Sequence, residues 1–436
     1  MLSPRTDQHD DPSEYEPRHS IRKYETLVPD NEDGDESTEH DAALKLLEEA
    51  LGDIPRAEDL HQPASKSRVD GPFHWIPRYN HTSWKEAQRM SMSMARTTKP
   101  PGASAAPPMS STPSAADGEP VLALRDSLLL SQRSSTIARQ MGMIERELMA
   151  SIDWSELSEP SWDQHTVRQE QWQLEYQDYV MFRIRQTMND EPSEGQKDAL
   201  RQTIHGRGIH MLIARFNRTC AWVASHIVRS NNIQERVAIV NKFIRIAWHC
   251  YRQGNMESLC QIMFGLQSPW IARLQQTWEQ VSLWELRAFE ALRRFTSPRE
   301  QFAFLRYSMR EAIETNIPSR RFSPLTTSSS PYVPFFGQFV SDLSAIDSLA
   351  SFVDASGMPN TMPLYDDQEL SLSWDALVNV YRLRIKSHIV REFITLQRCQ
   401  RQAPAPPMEL PILIEVLQLD TLSAMAIQST SLALEP

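Results

Sequence analysis

The 436-residue sequence predicts an all-α protein: a helical bundle of about ten helices with a protruding helical hairpin, preceded by a disordered N-terminal arm. Three observations predict it. From Val121 almost to the end of the chain, apolar residues recur at spacings of three and four, the period of a helix with one buried face. Runs with the alternation and β-branched enrichment of strands are scarce. The first 120 residues or so hold an acidic stretch, DNEDGDESTEHD (Asp30 to Asp41), and a low-complexity run from Thr97 to Pro120, both too poor in apolar surface to offset the entropy of ordering.

Within that arm one island, ALKLLEEAL (Ala43 to Leu51), sets Leu44, Leu47 and Leu51 at helical spacing. It reads as a marginal helix rather than a domain, since so short a helix is unstable alone; a docking peptide is the other reading. The first long stripe is Ile137, Met141, Ile144, Leu148 and Ile152, with Ser134, Ser135 and Thr136 as capping candidates. A second is Ile209, Leu212, Phe216, Cys220, Val223 and Ile227. A third is Ile233, Val237, Val240, Ile244, Ala247 and Tyr251, after Asn231 and Asn232 as caps. Helices are expected over Leu259 to Leu266, Ile271 to Trp278, Leu283 to Phe295 and Gln301 to Ile313. The Pro-, Ser- and Thr-dense segment Ile317 to Pro334 reads as a loop. After it come two more stripes: Phe339, Val340, Leu343, Ile346 and Leu349, then Trp374, Leu377, Val378, Tyr381, Ile385, Ile389, Phe393 and Leu396. Two such helices around a connector without strand character form an antiparallel pair that protrudes from the bundle.

Composition excludes several classes. A net charge of −11 and a pI near 5.6 argue against a phosphate-backbone binder, so no nucleic-acid partner is expected. Cys220, Cys250, Cys260 and Cys399 are too few and too scattered for a disulfide framework, and a reducing cytosolic setting fits them. The N-terminus lacks the apolar core of a secretory signal, no apolar run is long enough to span a bilayer, and the C-terminal SLALEP carries no lipidation motif. A cytoplasmic protein without direct membrane insertion is expected, whose membrane work is borrowed from a partner or adaptor.

Catalytic constellations are missing too. There is no phosphate loop, no dinucleotide fingerprint, no H-E-x-x-H and no G-x-S-x-G, so no catalytic residue, metal or cofactor is predicted. His205 and His210 bracket HGRGIH without cysteine or carboxylate ligands at metal spacing. His226 and His249 lie on or beside apolar stripes, and Trp248, Trp270, Trp278 and Trp284 read as core aromatics. Arg236, next to Glu235 at the start of the most regular stripe, reads equally as a solvated helix-start pair or as a partner contact.

Read as text, four blocks in order add a resemblance. IARQMGMIERELMASID opens the series, and Phe216 to Trp278 follows, with its FN, its ERVAIVNKFI helix, its GNMES turn and its GLQSPWIARLQQTW ending. Then come PYVPFFG (Pro331 to Gly337) with SDLSAID, and ALVNVYRLRIKSHIVREFITLQ with the closing SLALEP. Together these resemble the catalytic domain of Ras guanine-nucleotide exchange factors from about Ile137 to Pro436. The resemblance implies a domain over 121–436 behind the 1–120 arm, with an insertion in a loop at about 163–207 that has no counterpart. It implies a Ras- or Rap-like small GTPase as partner, and nucleotide release by preferential binding of the nucleotide-free GTPase, with no covalent chemistry.

Carried onto matching positions, the resemblance makes Arg236, Asn255, Gln267 and Ser268 GTPase-binding residues. It makes Phe335, Phe336 and Gly337 the hinge of a hairpin wedge, with Ser341 and Ser344 on the wedge face. The family's E-E-G-N at the end of that helix is replaced by Asp347, Ser348, Leu349 and Ala350, so one carboxylate comes a position early and the next is lost. Met256 and Glu257 replace the F-N of the family's turn, and no companion helical module is legible upstream. These departures leave a second reading, a catalytically weak protein of the same fold acting as a GTPase-binding scaffold. A helical-repeat scaffold would need self-similarity at 30 to 50 residues, roughly the known repeat lengths, which is not seen.

Overall fold

A computed structural model of the chain describes residues 34–53, 128–158, 169–188, 195, 207–298, 301–315, 332–354, 356–357, 377–402 and 407–435. Among the described residues are sixteen helices and one two-stranded ladder, an all-α architecture as expected, with more and shorter helices. The low-complexity run Thr97 to Pro120 and most of the Pro/Ser/Thr loop before the hairpin lie outside the described residues.

The arm contributes α1 (Gly34–Asp53), which is docked rather than marginal. Leu44, Leu47 and Leu51 are all buried, and α1 lies against the later helix Leu283–Phe295. Two ion pairs flank the apolar stripe, Glu48 with Arg287 at 2.8 Å and Glu39 with Arg252 at 2.5 Å, and His40 stacks on Trp284. Disorder over all of 1–120 is therefore corrected at 34–53: three leucines on one face of a helix find an apolar groove, which an isolated helix lacks.

Next come α2 (Leu128–Ser131), α3 (Ser134–Ser151) and α4 (Trp154–Ser158). The N-cap of α3 is Arg133 with no side-chain cap; Ser134 and Thr136 lie inside the helix and are buried. The segment at about 163–207, expected as an insertion in a loop, holds α5 (Gln169–Met188). This helix buries Trp172, Tyr176, Tyr179, Val180 and Ile184, and the Tyr176 hydroxyl donates to the Leu417 carbonyl at 3.1 Å. The segment read as an insertion thus holds a helix whose aromatic stripe packs beside α6 (Gly208–Arg229).

The centre of the molecule is α6, α7 (Ile233–Arg252) and α8 (Met256–Leu266), packed with α3. Asn232 caps α7, accepting from the Gln234 amide at 2.9 Å, which leaves Asn231 outside the cap. At Gly265 an added Cβ would lie 2.8 Å from Val223, so a glycine lets α8 close onto α6. The helix expected over Ile271 to Trp278 is split into α9 (Pro269–Ala272) and α10 (Gln275–Trp278). Then follow α11 (Leu283–Phe295) and α12 (Ala303–Thr315).

The hairpin pairs α13 (Phe336–Asp347) with α14 (Val380–Gln402). Between them β1 (Phe352–Val353) and β2 (Leu377–Val378) form a short antiparallel ladder, Phe352 opposite Val378. Nothing from Val380 to His388 is buried, whereas Ile389, Phe393, Leu396, Gln397 and Gln400 are, so the first turns of α14 stand clear of the bundle. Two tail helices, α15 (Leu410–Gln418) and α16 (Ala424–Leu434), close over α3, α5 and α6.

Candidate functional site at the hairpin hinge

The hinge is built from the chain leaving α7. Gly254 takes φ +72°, a left-handed conformation that a side chain disfavours, and turns α7 into α8. The next residue, Asn255, is buried and caps α8: its Oδ1 accepts from the Ser258 amide at 3.1 Å. Val333 bridges to this turn, donating to Gly254 O and accepting from the Met256 amide, both at 2.8 Å. Asn255 therefore belongs to the foundation of the hairpin, with its side chain enclosed.

Four rings set the angle at which α13 leaves. Phe335 meets Phe302 at 5.2 Å, Phe216 at 5.8 Å and Phe264 at 6.0 Å between centroids, mostly edge to face. Phe336 and Phe339 pack on Phe393 of α14. A Cβ on Gly337 would fall 2.3 Å from the Phe335 ring, so only glycine leaves that ring its place. Gln400 of α14 donates to the Tyr332 carbonyl at 3.1 Å, and Gln397 donates to Met149 and Ile152 of the α3 end at 2.9 Å. Glutamines near the end of α14 thus tie the hairpin to its base.

Beneath the hinge lies a group the sequence did not assign a role. Glu257 is 1% exposed, and its Oε2 accepts from the Phe336 amide at 2.7 Å, capping the first turn of α13. Burial, reinforced by the Glu145 carboxylate, pushes its pKa up to about 8. Glu145 is held by Arg215 at 2.5 Å, and Gln261 donates to both carboxylates. One signal was present: Glu257, Ser258 and Gln261 are the polar residues of an otherwise apolar α8, and Glu257 and Gln261 share a face at i,i+4.

Along α13, Ser341, Ser344 and Ser348 form one stripe of small polar residues opposite the buried Phe339, Leu343 and Ile346. Ser341 and Ser344 are half-buried and Ser348 is exposed. Asp347 faces elsewhere: its Oδ1 accepts from Arg382 at 2.7 Å and from Lys386 at 2.8 Å, so this carboxylate ties α13 to α14. Asp342 is gripped by both terminal nitrogens of Arg306 at 2.6 Å, which ties α13 to α12.

Arg236 lies at the opposite end of α7 from Asn255, so the expected GTPase-binding residues are not one cluster. The exposed helix-start position expected for it is corrected: Arg236 is 3% exposed. Its Nε donates to Thr277 Oγ1 at 2.8 Å and its Nη1 to the Ser230 carbonyl at 2.9 Å, and its guanidinium faces Glu435 at 3.6 Å. Glu435 in turn accepts from the Gln276 and Thr277 amides at 3.0 and 3.1 Å. The closing SLALEP motif is thereby stapled to α7 and α10. Gln267 and Ser268 are half-buried at the α8–α9 corner, where Gln267 donates to Met263 O at 3.0 Å.

His205 lies outside the described residues, and His210 stacks on Trp172 at 4.5 Å. Among the described residues no group of three or more His, Cys, Asp or Glu side chains is placed to hold a metal, and no helix is long and apolar enough to cross a membrane.

The described residues thus form a helical core carrying a braced two-helix projection. The RasGEF domain profile matches residues 136–384, more than half of the chain, and the chain belongs to that family. It is similar to the guanine nucleotide exchange factor LTE1 of Kluyveromyces lactis, 26% identical over 50% of this chain and 13% of the relative. It is also similar to the human Rap guanine nucleotide exchange factor 5, 36% identical over 22% of this chain and 16% of the relative. A third relative is the mouse Ras-specific guanine nucleotide-releasing factor 1, 27% identical over 51% of this chain and 15% of the relative. The chain thus spans less than a fifth of the length of these relatives.

Proposed function

We propose that this protein is a guanine-nucleotide exchange factor for a Ras- or Rap-like small GTPase, and that the α13–α14 hairpin acts as the wedge. The observation that carries the reading is the RasGEF match over 136–384, which contains the hinge and α13 and reaches into α14. The small polar stripe Ser341, Ser344 and Ser348 supports it, because small side chains let a helix approach a partner's backbone closely. Exchange needs no proton transfer or bond cleavage: the factor binds the nucleotide-free GTPase better than the loaded one, and each tenfold gain in release rate requires about 1.4 kcal/mol of preferential stabilisation. Gln267 and Ser268 at the α8–α9 corner are proposed to touch the GTPase, and Arg236 to act indirectly by holding α7, α10 and Glu435 near the C-terminus in register. Release of a fluorescent nucleotide from Ras- and Rap-family GTPases tests the proposal; acceleration is expected, and none from any of them with the folded 436-residue chain would overturn it.

A second reading has its own support: Asp347 is engaged by Arg382 and Lys386, and Ser348 has no carboxylate. A scaffold of this kind would bind nucleotide-free GTPase while leaving the release rate unchanged, which the same assay distinguishes when paired with a pull-down.

A further inference from the structure

We infer that the outer face of α14 is a docking surface for an anionic lipid bilayer. Arg384, Arg391 and Arg398 are all exposed and fall seven residues apart, which places them in one line of about 21 Å along the helix. Their side chains make no hydrogen bond or ion pair with any other described residue, whereas the neighbouring cations are committed. Arg382 and Lys386 hold Asp347, and Arg401 donates to the Ala150 carbonyl at 2.8 Å. An unpaired basic line on a chain of net charge −11 runs against the overall balance, and Arg384 at its head lies on the turns of α14 that stand clear of the bundle.

The described residues at the outer end of the same hairpin are largely apolar. Val380 and Leu383 are 67% and 50% exposed at the head of the basic line, with Tyr381, Leu377, Val378 and Phe352 exposed around them. Guanidinium groups bind phosphate and carboxylate oxygens of lipid headgroups, and an apolar and aromatic end settles at the boundary between headgroups and acyl chains. An acidic protein segment would satisfy the arginines as well. The bilayer is favoured because exposed apolar residues lie at the head of the basic line, and an acidic segment would satisfy the arginines while leaving those residues in water. Negative charge elsewhere on the molecule is screened beyond about 8 Å at physiological salt, so the local line decides the attraction. Docking of this kind is peripheral and does not rest on the exchange reading.

The test is co-sedimentation of the full chain with vesicles of phosphatidylcholine alone and of phosphatidylcholine with phosphatidylserine, no GTPase being present. Binding is expected only to the anionic vesicles and is lost at high salt. Replacing all three arginines, R384Q with R391Q and R398Q, is expected to weaken it about a hundredfold, since each cation near an anionic surface is worth roughly a factor of five. The corresponding triple Arg→Lys variant keeps most of the binding, and thermal melting of both variants matches the parent because the three side chains are exposed. Absence of binding to anionic vesicles overturns the inference, as does equal binding of the glutamine variant. Salt-sensitive binding to polyglutamate in place of vesicles would assign the face to an acidic protein and overturn it equally.

Discussion

Glu257 couples a local charge to the pose of the hairpin. Its carboxyl is enclosed, receives the Phe336 amide and lies near a second carboxylate, Glu145. An acid whose folded pKa stands near 8 against an ordinary value of 4.5 contributes stability below pH 4.5 and loses it as pH rises through 8. The melting temperature of the parent should therefore fall more steeply between pH 4.5 and about 8, the two values that bound its titration, than that of Glu257→Gln, whose amide keeps the acceptor without the charge. Parallel pH profiles of the two would remove Glu257 as the titrating group. Arg236 makes the other residue-scale case: truncation to alanine leaves Glu435 buried without its counter-charge and should cost about 3 kcal/mol, read as a lower denaturation midpoint at constant slope. A loss of GTPase binding without that destabilisation would instead make Arg236 a contact residue. The sequence singled out Arg236 and concealed its burial, because its partners, Thr277 and Glu435, are distant along the chain.

At the scale of elements, α1 is the instructive case. Its three leucines were visible as a stripe, but a stripe does not name the surface that covers it. The groove is formed with α11 and ringed by Arg287, Arg252 and Trp284, side chains from two helices that meet only in the folded chain. The double variant Leu44→Ala and Leu47→Ala should release α1, so that residues 34–53 gain protease sensitivity and fast amide exchange while α6 and α8 keep their protection. Simultaneous loss of protection in the central helices would make α1 an integral part of the core. The same reasoning covers α5: Tyr176 and Tyr179 sit in a segment without a recognisable counterpart, yet Arg215 donates to the Tyr176 hydroxyl at 2.7 Å, inside the polar cluster beneath the hinge.

For the whole molecule, the proposed exchange rests on a rigid base presenting a narrow face. Phe335, Gly337, Glu257 and Gln400 fix where α13 points, and Asp342 and Asp347 lash it to α12 and α14. Such bracing limits what must be ordered when a partner binds, so more of the contact energy remains for nucleotide-free binding. If the serine stripe is the face presented to the GTPase, Ser344→Trp should lower the release rate at least about tenfold, some 1.4 kcal/mol of lost stabilisation, with the melting temperature little changed. Release at the parental rate would move the contact away from this face.

The sequence by itself determined the helical class, the central stripes, the family blocks and the hinge signature PYVPFFG, because periodicity and local motif are properties of neighbours along the chain. It also marked Asn232 as a cap. Only the tertiary structure decided that Arg236 and Asn255 are enclosed at opposite ends of α7, that Glu257 caps the hairpin, that α1 and α5 are packed helices, and that Asp347 is spent on Arg382 and Lys386. Burial and charge pairing depend on residues far away along the chain, such as Glu435 for Arg236 and Glu48 for Arg287, and no spacing rule within a helix carries that information.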